Sequence, residues 1–362
     1  MEALAVERVG QQVVECYSCI IAKDVKQAKL LKPEVERMVA MMKPDDKMLA
    51  YYQLVSMLYD LLILKVSPDE ANERMDLTIL EGVATQANDY LHFMYYYVCG
   101  RNEFYHKRYK SAIRTYKIAE RLLEKVEDPV EKAEFYQILG ISYYHIDQFT
   151  FAFSYLEQAL EFFEKHSSYK INVFACKQIL SGIYSELHQH SKAQDMFNDL
   201  LEATKSSPYN HAVTTYNIGI NRIWSENFEE AIVYFKKALL DPDFQRSSIC
   251  LKAHYYIKNL ELRLGTYIDG FEWVEEEAKK KSVKEIVGKL LVTRGLYLNR
   301  DENLVMEGLN LLESHEYFYD CYDMCTEVSH YYKRANDLKK ASYYKTYARD
   351  MRYKSILGLD QA

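Results

Sequence analysis

Cysteine and histidine are the residues whose spacing could bind a metal, and the chain has seven of the first and ten of the second. Cys16 and Cys19 have the spacing of a metal-ligand pair. Their nearest counterpart, Cys321 and Cys325, has a different spacing and lies near the other end of the chain. Because a four-ligand zinc site needs two well-formed halves, we predict no metal site and no cofactor.

Catalytic signatures are missing from the sequence as well. It contains no H-E-x-x-H motif, no glycine-rich phosphate loop and no G-x-S-x-G motif. The sequence motifs therefore indicate neither a metalloprotease, nor a nucleotide-binding enzyme, nor a serine hydrolase. The remaining candidates for functional residues are polar side chains that bind a partner. The composition predicts the helices that would position them.

The composition favours long packed helices. Hydrophobic residues make up 49% of the 362 residues and charged residues 27%, with only 12 glycines and 6 prolines to form turns. The 33 tyrosines and 15 phenylalanines recur at helical spacing, which is typical of packing between helices. We predict an all-α protein.

The charge and the hydropathy exclude several partners. A net charge of −7 gives no general attraction to nucleic acid or to anionic lipid. The first residues do not form the apolar core of a secretion signal, and no stretch approaches the ~18 apolar residues that a membrane helix needs. We expect a soluble cytoplasmic protein that binds neither nucleic acid nor membrane.

An internal repeat organises most of the chain. Four segments align on a small residue, an alanine twelve residues later and a large residue four further on. The segments are Gly100, Ala112 and Tyr116; Gly140, Ala152 and Leu156; Ser181, Ala193 and Phe197; and Gly219, Ala231 and Phe235. This is the tetratricopeptide pattern, in which small residues lie where two helices of a hairpin cross closely and large ones fill the groove to the next hairpin.

The repeat predicts three regions. Residues 92–362 should form a tetratricopeptide-repeat superhelix of about seven helical hairpins, and residues 1–66 a separate three-helix bundle. The bundle should have a break or kink at Pro33 and a new helix capped by Asp45 or Asp46. Residues 67–91, which are rich in turn-forming residues, should form a linker or hinge.

Stacked helical hairpins make a concave groove that is lined by the first helix of each repeat. Asn217 lies on this side, two helical turns from Trp224, and its amide offers a donor and an acceptor to the backbone of an extended peptide. The other polar residues predicted on the same face are Gln178, Glu186, Asn259 and Arg263. We predict that these residues bind a short peptide; the alternative is that Asn217 bonds a neighbouring helix and the others are solvated.

Several motifs give the chain a family resemblance. The stretches "VGQQVVECY", "YYQL", "EKAEFYQILGISYYHIDQ" and "TTYNIGINRIWSENFEEAIVYFKKAL" together resemble the Rap proteins of spore-forming bacteria, over nearly the whole chain. The resemblance implies a quorum-sensing regulator whose bundle and adjoining repeats bind a two-component response regulator. Such a protein either dephosphorylates the regulator's aspartyl-phosphate or occludes its DNA-binding domain.

The resemblance also implies how the protein is controlled. A short Phr-type peptide binds among the repeats and pulls the bundle onto them, which releases the regulator. The acidic peptide contact of the family matches Glu186, although the family more often has aspartate there. In the bundle, the implied regulator-binding residues are Lys32, Asp46, Leu49 and Tyr52.

One position bears on catalysis. Family members that are phosphatases have a water-orienting glutamine five residues before a Tyr-Tyr pair, and this sequence has Asp46 there. Gln53 is a poor substitute because it lies on a different turn of the helix. Whether the protein is an enzyme is thus open: we favour a protein that sequesters its response regulator.

An active aspartyl-phosphate phosphatase is the alternative, and a peptide-sensing transcription factor is a weaker third. The third reading lacks support because the bundle has no compact helix-turn-helix turn, and residues 1–65 carry nine basic and nine acidic side chains. The basic stripe formed by Lys23, Lys26, Lys29 and Lys32 is typical of a solvated helix face. Otherwise it could steer an acidic receiver domain.

Overall fold

The structure, a computed structural model, describes residues 3–66, 89–106 and 108–357. Helices account for the regular structure of these ranges, and an isolated bridge joins Leu4 to Met42. Of the predicted linker, residues 67–88 lie outside the described residues. Within the described ranges, no helix is both long and apolar enough to cross a bilayer.

The N-terminal bundle consists of α1 (Val6–Ile21), α2 (Val25–Ala40) and α3 (Asp46–Val66). Asp45 caps α3, since its Oδ1 accepts a hydrogen bond from the Met48 amide at 2.8 Å. Helix α2 runs through Pro33 without interruption, so a break at that residue is wrong, whereas the alternative, a kink, stays a prediction. Proline removes one backbone donor there, and the packing of the buried face, with Leu31 and Val35, holds the helix together.

Seven helical hairpins follow in the described residues, and they confirm the predicted all-α class of a bundle followed by about seven repeats. The hairpins are α4 (Asp89–Tyr105) with α5 (Tyr109–Leu123), α6 (Pro129–Tyr144) with α7 (Phe149–Glu164), α8 (Lys170–Glu186) with α9 (His190–Ala203), α10 (Pro208–Trp224) with α11 (Phe228–Ala238), α13 (Cys250–Leu264) with α14 (Phe271–Lys280), α15 (Lys284–Thr293) with α16 (Glu302–Ser314), and α17 (Phe318–Arg334) with α18 (Leu338–Leu357). The short helix α12 (Pro242–Arg246) precedes α13, and a π-helical segment, Arg294–Leu298, ends the first helix of the sixth hairpin.

The small residues of the repeat lie where the two helices of a hairpin cross. A Cβ atom on Gly100 would come within 2.3 Å of the Tyr116 ring, and one on Gly219 within 2.7 Å of the Phe235 ring. Tyr116 and Phe235 thus cover the glycines of their own hairpins, and Phe235 also stacks on Tyr256 of the next one. The repeat register read from the sequence therefore sets the helix crossings.

The chain forms two compact units, residues 1–179 and residues 180–362. The bundle belongs to the first unit, where α3 packs against α4. The second unit has buried clusters around Phe235 and Phe244, around Phe271 and Leu290, and around the last two hairpins. The division into a bundle, a linker and a repeat domain at residues 66 and 91 stays a prediction.

Candidate functional site

A buried polar cluster joins the first helices of three hairpins in the second unit. The Asn259 Nδ2 atom donates to Glu327 Oε1 at 2.9 Å and to Thr293 Oγ1 at 3.1 Å. Arg263 Nη1 lies 3.7 Å from Glu327 Oε2, and its guanidinium covers the Phe228 ring at 4.2 Å from the centroid. The structure thus brings Asn259 and Arg263 together, and Glu327 contacts both.

Sequence reasoning missed Glu327, although the repeat register contains the signal for it. Glu327 precedes Ser329 by two residues, as Asn217 precedes Gly219. Ser329 occupies the small-residue position, since its hydroxyl donates to the Ala341 carbonyl at 2.8 Å. A register extended to the last hairpin would therefore have placed Glu327 on the same face as Asn217.

Glu186 contacts the last hairpin of the second unit. The Tyr319 hydroxyl donates to Glu186 Oε2. The Arg352 guanidinium lies over the Tyr319 ring, 5.3 Å from its centroid, and over the Tyr322 ring at 5.5 Å. Glu186 is therefore an anion beside an aromatic and cationic surface.

The other three predicted peptide contacts are Asn217, Trp224 and Gln178. Asn217 is half-buried on α10 and takes part in interactions within the chain. Trp224 meets the His188 ring edge-to-face at 6.2 Å. Gln178 is buried and belongs to the first unit, whereas the other five belong to the second. The peptide-binding role of all six residues stays a prediction.

The predicted regulator-binding residues of the bundle differ in exposure. Asp46 and Leu49 are exposed in the first turn of α3, and Tyr52 is half-buried. Lys32 is only 7% exposed, and its ammonium donates to Glu36 and to the Tyr52 hydroxyl. Lys32 is therefore not part of a solvated basic face, because the apolar packing of α2 turns it inward.

Lys23, the first residue of the same stripe, is also withdrawn from solvent. It adopts the left-handed conformation between α1 and α2, with φ 58°. Its Nζ atom donates to Gln137 Oε1 at 2.7 Å and to Glu134 Oε2 at 3.3 Å. The interpretation of four lysines as one solvated stripe is thus wrong: Lys23 and Lys32 make internal polar contacts.

Glu134 on α6 is the centre of a polar network in the first unit. Its side chain is 5% exposed. Its Oε1 atom accepts from Arg101 Nη1 at 2.9 Å and from the Tyr97 hydroxyl at 3.1 Å. Its Oε2 atom accepts from Asn172 Nδ2 at 3.2 Å as well as from Lys23. One carboxylate therefore connects the bundle to α4 and α8.

Glu131, one turn earlier on α6, forms a second buried connection. Its two carboxyl oxygens accept from the Tyr17 hydroxyl at 2.7 Å and from the Tyr90 hydroxyl at 2.8 Å. Burial raises the pKa of Glu131 to about 7, although the two tyrosine hydrogen bonds act in the opposite direction. A cavity of about 540 Å³, lined also by Tyr51, lies beside it. The acidic residues of "EKAEFY" thus hold the bundle on the repeats.

Metal binding has no support in the described part of the chain, where no group of three or more histidine, cysteine or acidic side chains could hold an ion. Cys16, Cys321 and Cys325 are buried and Cys19 is half-buried. Burial is the main reason that the pKa of the Cys16 thiol rises to about 11. These cysteines behave as reduced packing residues.

Comparison with known proteins shows which family the chain resembles, beginning with the bundle. Residues 3–64 match the family model described as response regulator aspartate phosphatase H, N terminal. Response regulator aspartate phosphatase I of Bacillus subtilis (strain 168) is 27% identical over 345 residues, which are 93% of this chain and 88% of that protein. The crystal structure of a Rap protein complexed with Competence and Sporulation Factor aligns with a TM-score of 0.86 and 26% identity, over 97% of this chain and 99% of that one. The chain belongs to the Rap family.

One relative has a name that does not describe a Rap protein. The protein named Type II methyltransferase M.CeqI, from Rhodococcus hoagii, is 34% identical over 370 residues, which are 99% of this chain and 70% of that protein. The aligned part of it therefore resembles a helical Rap chain.

Proposed function

We propose that this protein is a quorum-sensing regulator that binds a two-component response regulator through its bundle and is inhibited by a short signalling peptide. The observation that carries the peptide-binding half is a set of polar side chains in the second unit, where Glu186, Asn259 and Glu327 lie on the first helices of their hairpins. Polar groups at such positions can bond the backbone and the side chains of an extended peptide. The Rap relative complexed with Competence and Sporulation Factor supports the same ligand class.

The bundle is the proposed surface for the response regulator. The matching family model covers this region, and the relatives carry the name response regulator aspartate phosphatase. Leu49 is 36% exposed beside Asp46, which gives α3 an apolar contact at the start of the helix. In the described structure α1 and the turn after it are held on the repeats by Glu131 and Glu134. We propose that the peptide favours this docked state and thereby releases the regulator.

The favoured mode is sequestration without efficient phosphatase activity. Asp46 stands at the family's glutamine position and is exposed in the first turn of α3. A glutamine amide can orient an attacking water without bringing a negative charge toward the phosphoryl group, whereas an aspartate adds one. Gln53 lies seven residues further along α3, about 10 Å along the helix axis. Its amide therefore does not replace the missing one.

The mode can be tested with the phosphorylated receiver domains of the host's response regulators. We expect the protein and the receiver to form a complex on a sizing column. We also expect the phosphoryl label to remain on the receiver when the receiver is in large molar excess over the protein. Asp46→Gln is expected to raise label loss, because it restores the amide at the start of α3. Catalytic, multiple-turnover loss of label with the wild type, abolished in Asp46→Ala, would instead establish the phosphatase alternative.

Asn217→Ala is expected to weaken peptide binding. The substitution leaves a backbone donor and acceptor of the bound peptide unpaired in a partly desolvated site, which costs about 1–3 kcal/mol, or about 5- to 150-fold in affinity. The measurement is calorimetry with a peptide captured from a synthetic pentapeptide library. Asn198→Ala, at an exposed position on α9, is the matched control and should bind like the wild type. Unchanged affinity in Asn217→Ala would remove Asn217 from the site.

A further inference from the structure

The last hairpin of the second unit forms a cavity whose lining includes none of the predicted site residues. It lies between α17 and α18 and has a volume of about 500 Å³. The residues that line it are Tyr322, Thr326, Ser329, His330, Lys333, Lys345, Ala348, Arg349, Arg352 and Tyr353. We refer to it as the α17–α18 cavity.

The lining of the α17–α18 cavity is strongly basic. It includes two lysines, two arginines and a histidine, but no carboxylate, in a chain where the 53 acidic residues outnumber the 46 basic ones. Its serine and threonine hydroxyls donate to backbone carbonyls, so they are already satisfied. The exposed nitrogens of Lys333, Lys345 and Arg349 are groups that can bind a ligand, and their charge suits an anion.

Lys333, Lys345 and Arg349 are the exposed cations of this cavity. Within the described residues, neither Lys333 nor Lys345 has a carboxylate at ion-pair distance, and both are exposed. Arg349 pairs only with its neighbour Asp350, at 3.4 Å and on the surface. Exposed pairs of this kind contribute little energy, so an incoming carboxylate competes with them easily.

The cavity also adjoins one of the predicted peptide contacts. Arg352, which lines it, lies over the Tyr319 ring, and the Tyr319 hydroxyl donates to Glu186. The positive lining of the cavity, on the last hairpin, therefore lies near the negative charge of Glu186 on α8. An extended peptide would match this arrangement if it had a basic side chain to meet Glu186 and, further along the chain, a free carboxylate to meet the cavity. Successive residues of such a peptide advance by about 3.3 Å.

We propose that the α17–α18 cavity binds the free C-terminal carboxylate of the signalling peptide. The inference rests on the proposed peptide-binding function and adds an orientation, with the C-terminus at the last hairpin. Lys345 and Arg349 are the principal donors, because both are exposed and carry several N–H groups. Every unmodified peptide has this carboxylate whatever its sequence, so the site selects for a processed chain end rather than for a particular side chain.

The test compares two random pentapeptide libraries that differ only in their last group, a free acid or an amide. Peptides captured by the full-length protein are identified and resynthesised in both forms. We expect the acid form to bind about 10- to 150-fold more tightly than the amide, the range for a charged hydrogen-bonded group. Equal affinities would overturn the inference while leaving peptide binding intact. Capture from neither library would overturn both.

Variants then locate the carboxylate. In Lys345→Gln/Arg349→Gln, the preference for the acid form is expected to disappear, whereas the affinity for the amide form stays at the wild-type value. Lys339→Gln removes an exposed cation from α18 outside the cavity, so it controls for the change in net charge and should retain the preference. A double variant that still prefers the acid form as strongly as the wild type would contradict the assignment.

Discussion

Replacing Glu134 by leucine is expected to lower the free energy of unfolding by about 3–5 kcal/mol, the usual cost of removing one partner from a buried ion pair. The carboxylate accepts from Lys23 and Arg101, whose side chains are 20% and 18% exposed. Without it, these two partly buried cations lose the carboxylate that pairs with both of them. Burial already lowers the pKa of Lys23, even though Glu134 acts in the opposite direction.

The measurement is urea unfolding, followed by far-ultraviolet circular dichroism. Glu157→Leu, a substitution of the same kind at an exposed position on α7, is the control and should change the free energy of unfolding by less than about 0.5 kcal/mol. A second variant, Lys23→Met/Glu134→Leu, removes one of the stranded cations and should recover part of the loss. If Glu134→Leu unfolds with the wild-type midpoint, the network does not stabilise the first unit.

Glu134→Leu should also loosen the bundle from the repeats. Lys23 lies in the turn between α1 and α2, and its ammonium reaches Glu134 and Gln137 across 111 and 114 residues of sequence. Hydrogen exchange of α1 and α2 is expected to become faster in this variant, while the exchange of α17 and α18 stays unchanged. This pattern distinguishes undocking of the bundle from a general loss of stability.

The repeats could be predicted from the sequence because their register depends on local spacing. Gly219 and Phe235 are sixteen residues apart, and the structure places the ring on the glycine. The cap of α3 was predictable for a similar reason, since Asp45 bonds an amide only three residues away. Helical periodicity, small residues and caps are all short-range signals.

The buried polar networks could not be predicted in the same way. In the sequence, nothing distinguishes Glu134 and Glu327 from acidic residues on a solvated helix face. Periodicity identifies the face of a helix but not the partner that covers it. Lys23 and Lys32 were interpreted as solvated for the same reason, and each has an internal partner that the sequence pattern does not reveal. Long-range contacts decide which charged residues are structural and which remain for binding.

The stability of the first unit should also depend on pH through Glu131. Burial raises the pKa of this carboxyl from its ordinary 4.5 to about 7, and the nearby charges of Asp128 and Glu134 add to the rise. Between these two values the folded state keeps a proton that the unfolded state releases. Stability from this group is therefore complete below about pH 4.5 and is lost as the pH rises toward 7, by about 3 kcal/mol in total.

Glu131→Gln is the variant that isolates this effect, because a glutamine stays neutral at every pH. Its Oε1 atom can accept from one of the two hydroxyls, Tyr17 or Tyr90, and its Nε2 atom can donate to the other. Urea unfolding should show that the free energy of unfolding of the variant, relative to that of the wild type, rises by about 3 kcal/mol between pH 4.5 and pH 8. Glu157→Gln, at an exposed site, should follow the wild-type profile. Parallel profiles for the wild type and Glu131→Gln would show that the buried carboxyl ionises without cost. Because Tyr17 belongs to the bundle and Glu131 to the repeats, a confirmed difference would place this loss of stability at the contact that docks the bundle.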